Sequence, residues 1–142
     1  MFDTPQKFPA GRPGTNPVKY SGKKILIVED EDLLANALVV KFQHEGFEVL
    51  RAANGQIGLD LAKTQKPQII LLDLMMPVMD GKAMLRELRK IPEFKFTPVI
   101  VLTNAGGIDN IRETQSYYNA IEFLIKSNVS TDEIVDRVKR LV

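Results

Sequence analysis

The 142-residue chain is 44% hydrophobic and 26% charged, with a net charge of +1 at pH 7, a balance that suits one globular domain with its own core. It has no cysteine, which excludes a disulfide framework, a thiolate nucleophile and a zinc–thiolate site. No apolar run is long enough to cross a bilayer and no signal-peptide pattern opens the chain, so a cytoplasmic protein without membrane contact is expected.

Charge is unevenly placed. Residues 1–24 hold five basic residues and one acid, a local balance of +4, while the fourteen basic and seventeen acidic residues of the remainder leave −3. A mildly acidic globular part argues against nucleic acid as its direct partner. Residues 1–23 carry Pro5, Pro9, Pro13 and Pro17 with Gly11, Gly14 and Gly22, a spacing incompatible with a stable helix and without the apolar pattern of a core. They are expected to form a flexible tail, separate from a domain over residues 24–142, with Phe2, Phe8 and Tyr20 available to pack against it.

From Lys24 onward, apolar segments alternate with helical patterns. Lys24–Val28 is an aliphatic strand that runs into four consecutive acids, Glu29, Asp30, Glu31 and Asp32. Residues 32–45 put Leu34, Leu38 and Phe42 on one stripe, with Gly46 as the stop. Residues 47–52 form the second strand, and Asn54 caps a short helix over 56–64 that Lys66-Pro67 ends. The third strand, Gln68-Ile-Ile-Leu-Leu, has no polar alternation and suits a parallel strand buried on both faces. It delivers Asp73 into a short loop, Leu74 to Gly81, punctuated by Pro77 and Gly81. A helix over 82–90 carries Met84, Leu85 and Leu88. Residues 98–103 are a strand ending in Thr103, 108–118 a helix with few aliphatics, and 121–126 a strand ending in Lys126. Ser130-Thr131-Asp132-Glu133 is a capping box opening a last helix with Ile134, Val135, Val138, Leu141 and Val142 at helical spacing. Five strands alternating with five helices imply a parallel sheet covered on both faces.

The strand ends carry the chemistry. A lone loop Asp most often caps the next helix, and acids after a strand favour the positive end of a helix. Four acids exceed what capping needs, however, and ligands in open α/β sheets gather at the carboxyl ends of strands. If the first and third strands are parallel neighbours, Asp30 and Asp73 meet there. Clustered carboxylates call for a cation, and oxygen-only ligands favour a hard ion such as Mg²⁺. An acid pair, a single Asp, a Thr and a Lys together make a set for receiving a phosphoryl group, since that transfer is mostly positioning and charge neutralisation and a carboxylate can be the covalent acceptor.

In order and spacing these residues resemble the receiver domain of two-component response regulators, from Lys24 to Val142. The resemblance implies the flavodoxin-like fold with strand order 2-1-3-4-5, and a stand-alone receiver rather than a classical enzyme. It makes Asp73 the phosphoacceptor. Glu29 and Asp30, with Asp73 and the backbone carbonyl of Met75, become the Mg²⁺ site. Thr103 becomes the hydroxyl that moves to the phosphoryl group, Lys126 its cation, and Phe123 the aromatic switch. The implied partners are a histidine kinase or phosphotransfer protein, and a downstream target bound through the face of the 108–118 helix, the last strand and the last helix. A monomer or a phosphorylation-dependent dimer is expected.

Three departures from the family pattern bear on the site. Ser127 follows Lys126 where proline with a cis peptide is usual, and a cis bond before a non-proline residue costs about 2.5–4 kcal/mol. Asn104 follows Thr103 where a small residue is usual, and either crowds the pocket or adds a donor to it. Met75 and Ala105 stand where side chains influence the attack of water on the phosphoaspartate, and neither orients water, so slow dephosphorylation is expected. The competing readings are a phosphatase working through an aspartyl-phosphate and a receiver-like interaction module that acts without phosphorylation. His44 reads as a surface or boundary residue, and Met75, Met76 and Met79 as packing residues.

Overall fold

The computed structural model describes residues 5–9, 22–104, 120 and 122–142. In chain order the strands are β1 (Gln6–Phe8), β2 (Lys24–Val28), β3 (Glu48–Ala52), β4 (Ile69–Asp73), β5 (Val99–Thr103) and β6 (Glu122–Ile125). The helices are α1 (Asp32–His44), α2 (Gly55–Gln65), α3 (Gly81–Arg89) and α4 (Thr131–Leu141), with 3₁₀ turns at Pro92–Phe94 and Lys126–Asn128. The expected 108–118 helix, Ala105, Phe2 and Tyr20 lie outside the described residues.

β2 through β6 form one parallel sheet, and the whole order is β1-β3-β2-β4-β5-β6. Its parallel part is the expected 2-1-3-4-5 arrangement. β4 is the central strand and all five of its residues are buried, which is why its sequence shows no polar alternation. Side chains still alternate between faces. Ile25, Ile27, Ile69, Leu71, Ile100 and Leu102 pack with Leu38 and Phe42 of α1 and with Ile134 and Val138 of α4. Leu26, Val28, Ile70, Leu72, Val99 and Val101 pack on the other face with Leu59 of α2 and with Met84 and Leu88 of α3. Burying each such aliphatic side chain contributes about 1.5–3 kcal/mol, so the register of β2, β4 and β5 is fixed by both layers at once.

Local signals set the helix ends. Asn54 accepts from the Ile57 amide, Asp80 from the Ala83 amide and Ser130 from the Glu133 amide, the last with the reciprocal capping-box contact. Each satisfies an amide that the first helical turn leaves unpaired.

The sixth strand departs from the sequence reading. Gln6–Phe8 pairs antiparallel with β3, placing Gln6 opposite Arg51 and Phe8 opposite Val49. Lys7 pairs with Glu48 at 3.1 Å, Gln43 donates to the Pro9 carbonyl at 2.8 Å, and Phe8 packs on the α1-side core. An outer parallel strand leaves a row of unpaired backbone groups, and β1 covers it along β3. A three-residue segment between Pro5 and Pro9 has no periodicity of its own to signal this, because β3 supplies the template.

Candidate functional site

β2 and β4 are hydrogen-bonded neighbours, with Val28 in register with Leu72. Glu29, the residue after β2, and Asp73, the last of β4, therefore emerge at the same sheet edge. Carboxylate oxygens of Glu29, Asp30 and Asp73 lie within 4.8 Å of one another. Glu29 and Asp73 are buried and Asp30 is exposed.

Lys126, in the turn after β6, reaches into this edge. Its ammonium lies 2.7 Å from Glu29 Oε1 and donates to Asp73 Oδ2 at 3.1 Å, with Glu31 further off at 3.7 Å. The Lys126–Ser127 peptide is trans, so the serine is accommodated without the cis bond usual in the family, and Lys126 still reaches both carboxylates. Asp73 Oδ1 accepts from the Met75 amide at 3.1 Å, and Glu29 Oε2 accepts from the Glu31 amide at 3.1 Å. Glu29 Oε1 is buried and its close partner is the Lys126 ammonium.

The electrostatics follow from this packing. Burial raises the Glu29 carboxyl from 4.5 to about 7; the Lys126 contact opposes the rise and the Asp73 charge adds to it. For Lys126 burial works to lower the pKa, but Glu29 and then Asp73 outweigh it and the net shift is upward. The edge thus holds more negative charge than its one inward ammonium compensates. A hard divalent cation fits it: the candidate ligands are all oxygens, and three carboxylates converge around a single ammonium.

Thr103 ends β5 beside β4, fully buried, with its hydroxyl donating to the Asn104 carbonyl at 3.3 Å rather than to Asp73. Phe123 is half-buried against the α2–α3-side core and pairs in register with Val101. Val101 and Thr103 are two apart on one strand, so Phe123 and Thr103 belong to the same face of the sheet. Met75 is 59% exposed. His44 is exposed, away from this edge.

The loop from Asp73 to Gly81 is folded tightly back. The Gly81 amide donates to the Leu74 carbonyl at 3.0 Å, and the Gly55 amide to the Met79 carbonyl at 2.8 Å. A methyl group on Gly81 would overlap the Asp73 carbonyl oxygen, and one on Gly55 the Met79 carbonyl oxygen. Both positions need glycine for close approach.

Sequence reasoning missed Arg51. It is 6% exposed, donates to the Glu29 carbonyl from Nε at 3.2 Å and Nη2 at 2.8 Å, and pairs through Nη1 with Asp32 at 2.9 Å. Its signal was an arginine inside an apolar strand whose neighbour ends in acids.

Comparison with known proteins gives the same picture. The family pattern of the response regulator receiver domain matches residues 25–139. The transcriptional regulatory protein SrrA of Staphylococcus aureus is 39% identical over 119 residues, 84% of this chain and 47% of SrrA. The chain therefore spans about half the length of the curated relatives it matches. Among solved structures, the receiver domain of Francisella response regulator 1452 is 32% identical with a TM-score of 0.74, covering 84% of this chain and 96% of that one. The receiver domain of the Pseudomonas aeruginosa sensor histidine kinase PA1611, with magnesium coordinated in its active-site cleft, is 27% identical with a TM-score of 0.71, covering 85% of this chain and 98% of that one. With its fold, its strand-end chemistry and a family match across most of its length, the chain belongs to the response regulator receiver domain family.

Proposed function

We propose that the protein is a phosphorylation-controlled switch of a two-component pathway, in which Asp73 accepts a phosphoryl group from a histidine kinase or phosphotransfer protein. The observation that carries this reading is the setting of Asp73. Its buried carboxylate ends the central strand, tied by one oxygen to Lys126 and by the other to the Met75 amide, within a cluster of acids.

In the transfer, one Asp73 oxygen forms a bond to phosphorus as the bond from phosphorus to the donor imidazole nitrogen breaks. The bonding pair leaves with that nitrogen, and an acyl phosphate remains on Asp73. Glu29, Asp30, Asp73 and the Met75 carbonyl would hold Mg²⁺, which would supply charge neutralisation for the transferred group. Lys126 turns from the carboxylate to pair with a phosphoryl oxygen. The Thr103 hydroxyl exchanges its long bond to Asn104 for one to the phosphoryl group, and Phe123, on the same sheet face, repacks with it. The readout is a population shift on the side of the domain that carries β6 and α4, where a downstream protein binds. The receiver domain is residues 24–142, and from the preceding stretch Gln6–Phe8 adds a strand to its sheet. No helix among the described residues is long and apolar enough to cross a membrane, and a cytoplasmic location fits the pathway.

Intact-mass measurement after incubation with Mg²⁺ and acetyl phosphate tests the reading, with phosphoramidate as a second donor. One added phosphoryl group, lost on chelation of the metal, supports it. No adduct from either donor while Mg²⁺ still binds refutes it.

A further inference from the structure

We infer that Arg51 is a positioning residue for the divalent-cation site, clamping the acidic turn between β2 and α1 in the shape that binds metal. The inference rests on the reading of the Glu29–Asp30–Asp73 cluster as a Mg²⁺ site.

Arg51 touches no proposed ligand oxygen. Two of its nitrogens hold the main-chain carbonyl of Glu29 and the third holds the carboxylate of Asp32. The grip spans the acidic turn from its first residue to the first residue of α1, with Asp30 and Glu31 between the two anchors. On the other side of the Glu29 residue, its amide donates to the Ala52 carbonyl at 3.0 Å. Both peptide groups flanking Glu29 are thus fixed to β3. The Asp30 carboxylate, exposed and within 4.8 Å of those of Glu29 and Asp73, takes its position from this turn. A planar guanidinium serves two acceptors in different directions at once, which a lysine ammonium on a flexible stem does not do as well. β1 closes the outer side, with Gln6 opposite Arg51.

A plain electrostatic view gives the opposite sign. A buried cation near an acidic site repels Mg²⁺, so removing it tightens binding. Positioning means removing it weakens binding, because a released turn must be reordered when the metal arrives. Titration calorimetry with Mg²⁺ on the full chain decides between them, using wild type, Arg51→Lys, Arg51→Met and Asp32→Asn. Both Arg51 variants should bind roughly 10-fold more weakly, the scale on which outer partners of metal ligands act, and Asp32→Asn, which breaks one anchor, should weaken binding by a smaller factor.

Two readouts separate positioning from general damage. In the metal-free Arg51→Lys protein, hydrogen exchange should quicken at the Glu31 and Asp32 amides while β4 amides keep their protection. Phosphorylation by acetyl phosphate should need more Mg²⁺ but approach the wild-type rate at saturation. Unchanged or tighter Mg²⁺ binding by Arg51→Lys, with β4 protection intact, overturns the inference. If Arg51→Met does not fold, Asp32→Asn at an exposed side chain carries the same test, and wild-type affinity there overturns it as well. Failure of the wild type itself to bind Mg²⁺ overturns instead the reading of the acid cluster.

Discussion

Replacing Glu29 with Gln should make the metal-free protein more stable at pH 8 and less stable by about 1 kcal/mol at pH 4. The Glu29 carboxyl titrates near 7 in the folded chain against an ordinary 4.5, chiefly because it is buried. A carboxyl with a raised folded pKa binds its proton more tightly in the folded state. Its contribution to stability is fully present below about pH 4.5 and is lost as pH rises through 7. The shift corresponds to a loss on the order of 3 kcal/mol above pH 7. A glutamine mimics the protonated form, and fitting its amide beside the Lys126 ammonium returns about 1 kcal/mol of that. The net gain is then about 2 kcal/mol at pH 8, or roughly 5–10 °C in Tm for a domain of this size. Thermal or urea unfolding in EDTA at pH 4 and pH 8 measures it. The same variant should bind Mg²⁺ more weakly, while wild-type affinity should climb as pH approaches 7 and level beyond it, since the proton on Glu29 is the one a metal displaces. A variant no more stable than wild type at pH 8, or equally stabilised at both pH values, would refute the buried-charge account.

Other substitutions test the loop that carries Asp73. Gly81→Ala should cost about 2 kcal/mol or more in urea unfolding, because the added methyl meets Asp73 and Leu74 backbone, including the Leu74 Cα at 2.9 Å; a variant as stable as wild type contradicts the close approach. Val78 holds φ at 68° and is 80% exposed, so Val78→Asn should relieve a strained β-branched residue without loss of packing and raise stability by about 1 kcal/mol; a drop in Tm counts against it. Met75→Asn should quicken the decay of the phosphorylated protein by placing a hydrogen-bonding group beside Asp73, read as loss of the adduct over time; rapid wild-type decay that the substitution leaves unaltered refutes the slow-hydrolysis expectation.

The sequence made the parallel sheet legible because each strand of the layered core is a short aliphatic run ended by a turn or cap. The strand-end chemistry was legible for the same reason. Once β2 and β4 are neighbours, Glu29, Asp30 and Asp73 must converge, and Lys126 joins them from the turn just after β6. What escaped depends on contacts between segments distant in sequence. β1 has only three residues and forms against an edge that exists after β3 is in place. Arg51 reads locally as an outward polar residue, yet the acceptors that make its burial tolerable, Glu29 and Asp32, belong to another element. The Thr103 hydroxyl bonded to the Asn104 carbonyl is a matter of rotamer, which spacing does not specify.

The central claim is that Asp73 is the residue phosphorylated. After incubation with Mg²⁺ and acetyl phosphate, borohydride reduces an aspartyl phosphate to homoserine, and peptide mass spectrometry locates the change. The account predicts conversion at Asp73 alone, dependent on Mg²⁺ and absent from Asp73→Asn. Conversion at Asp30 or another carboxylate, with Asp73 untouched, would contradict it.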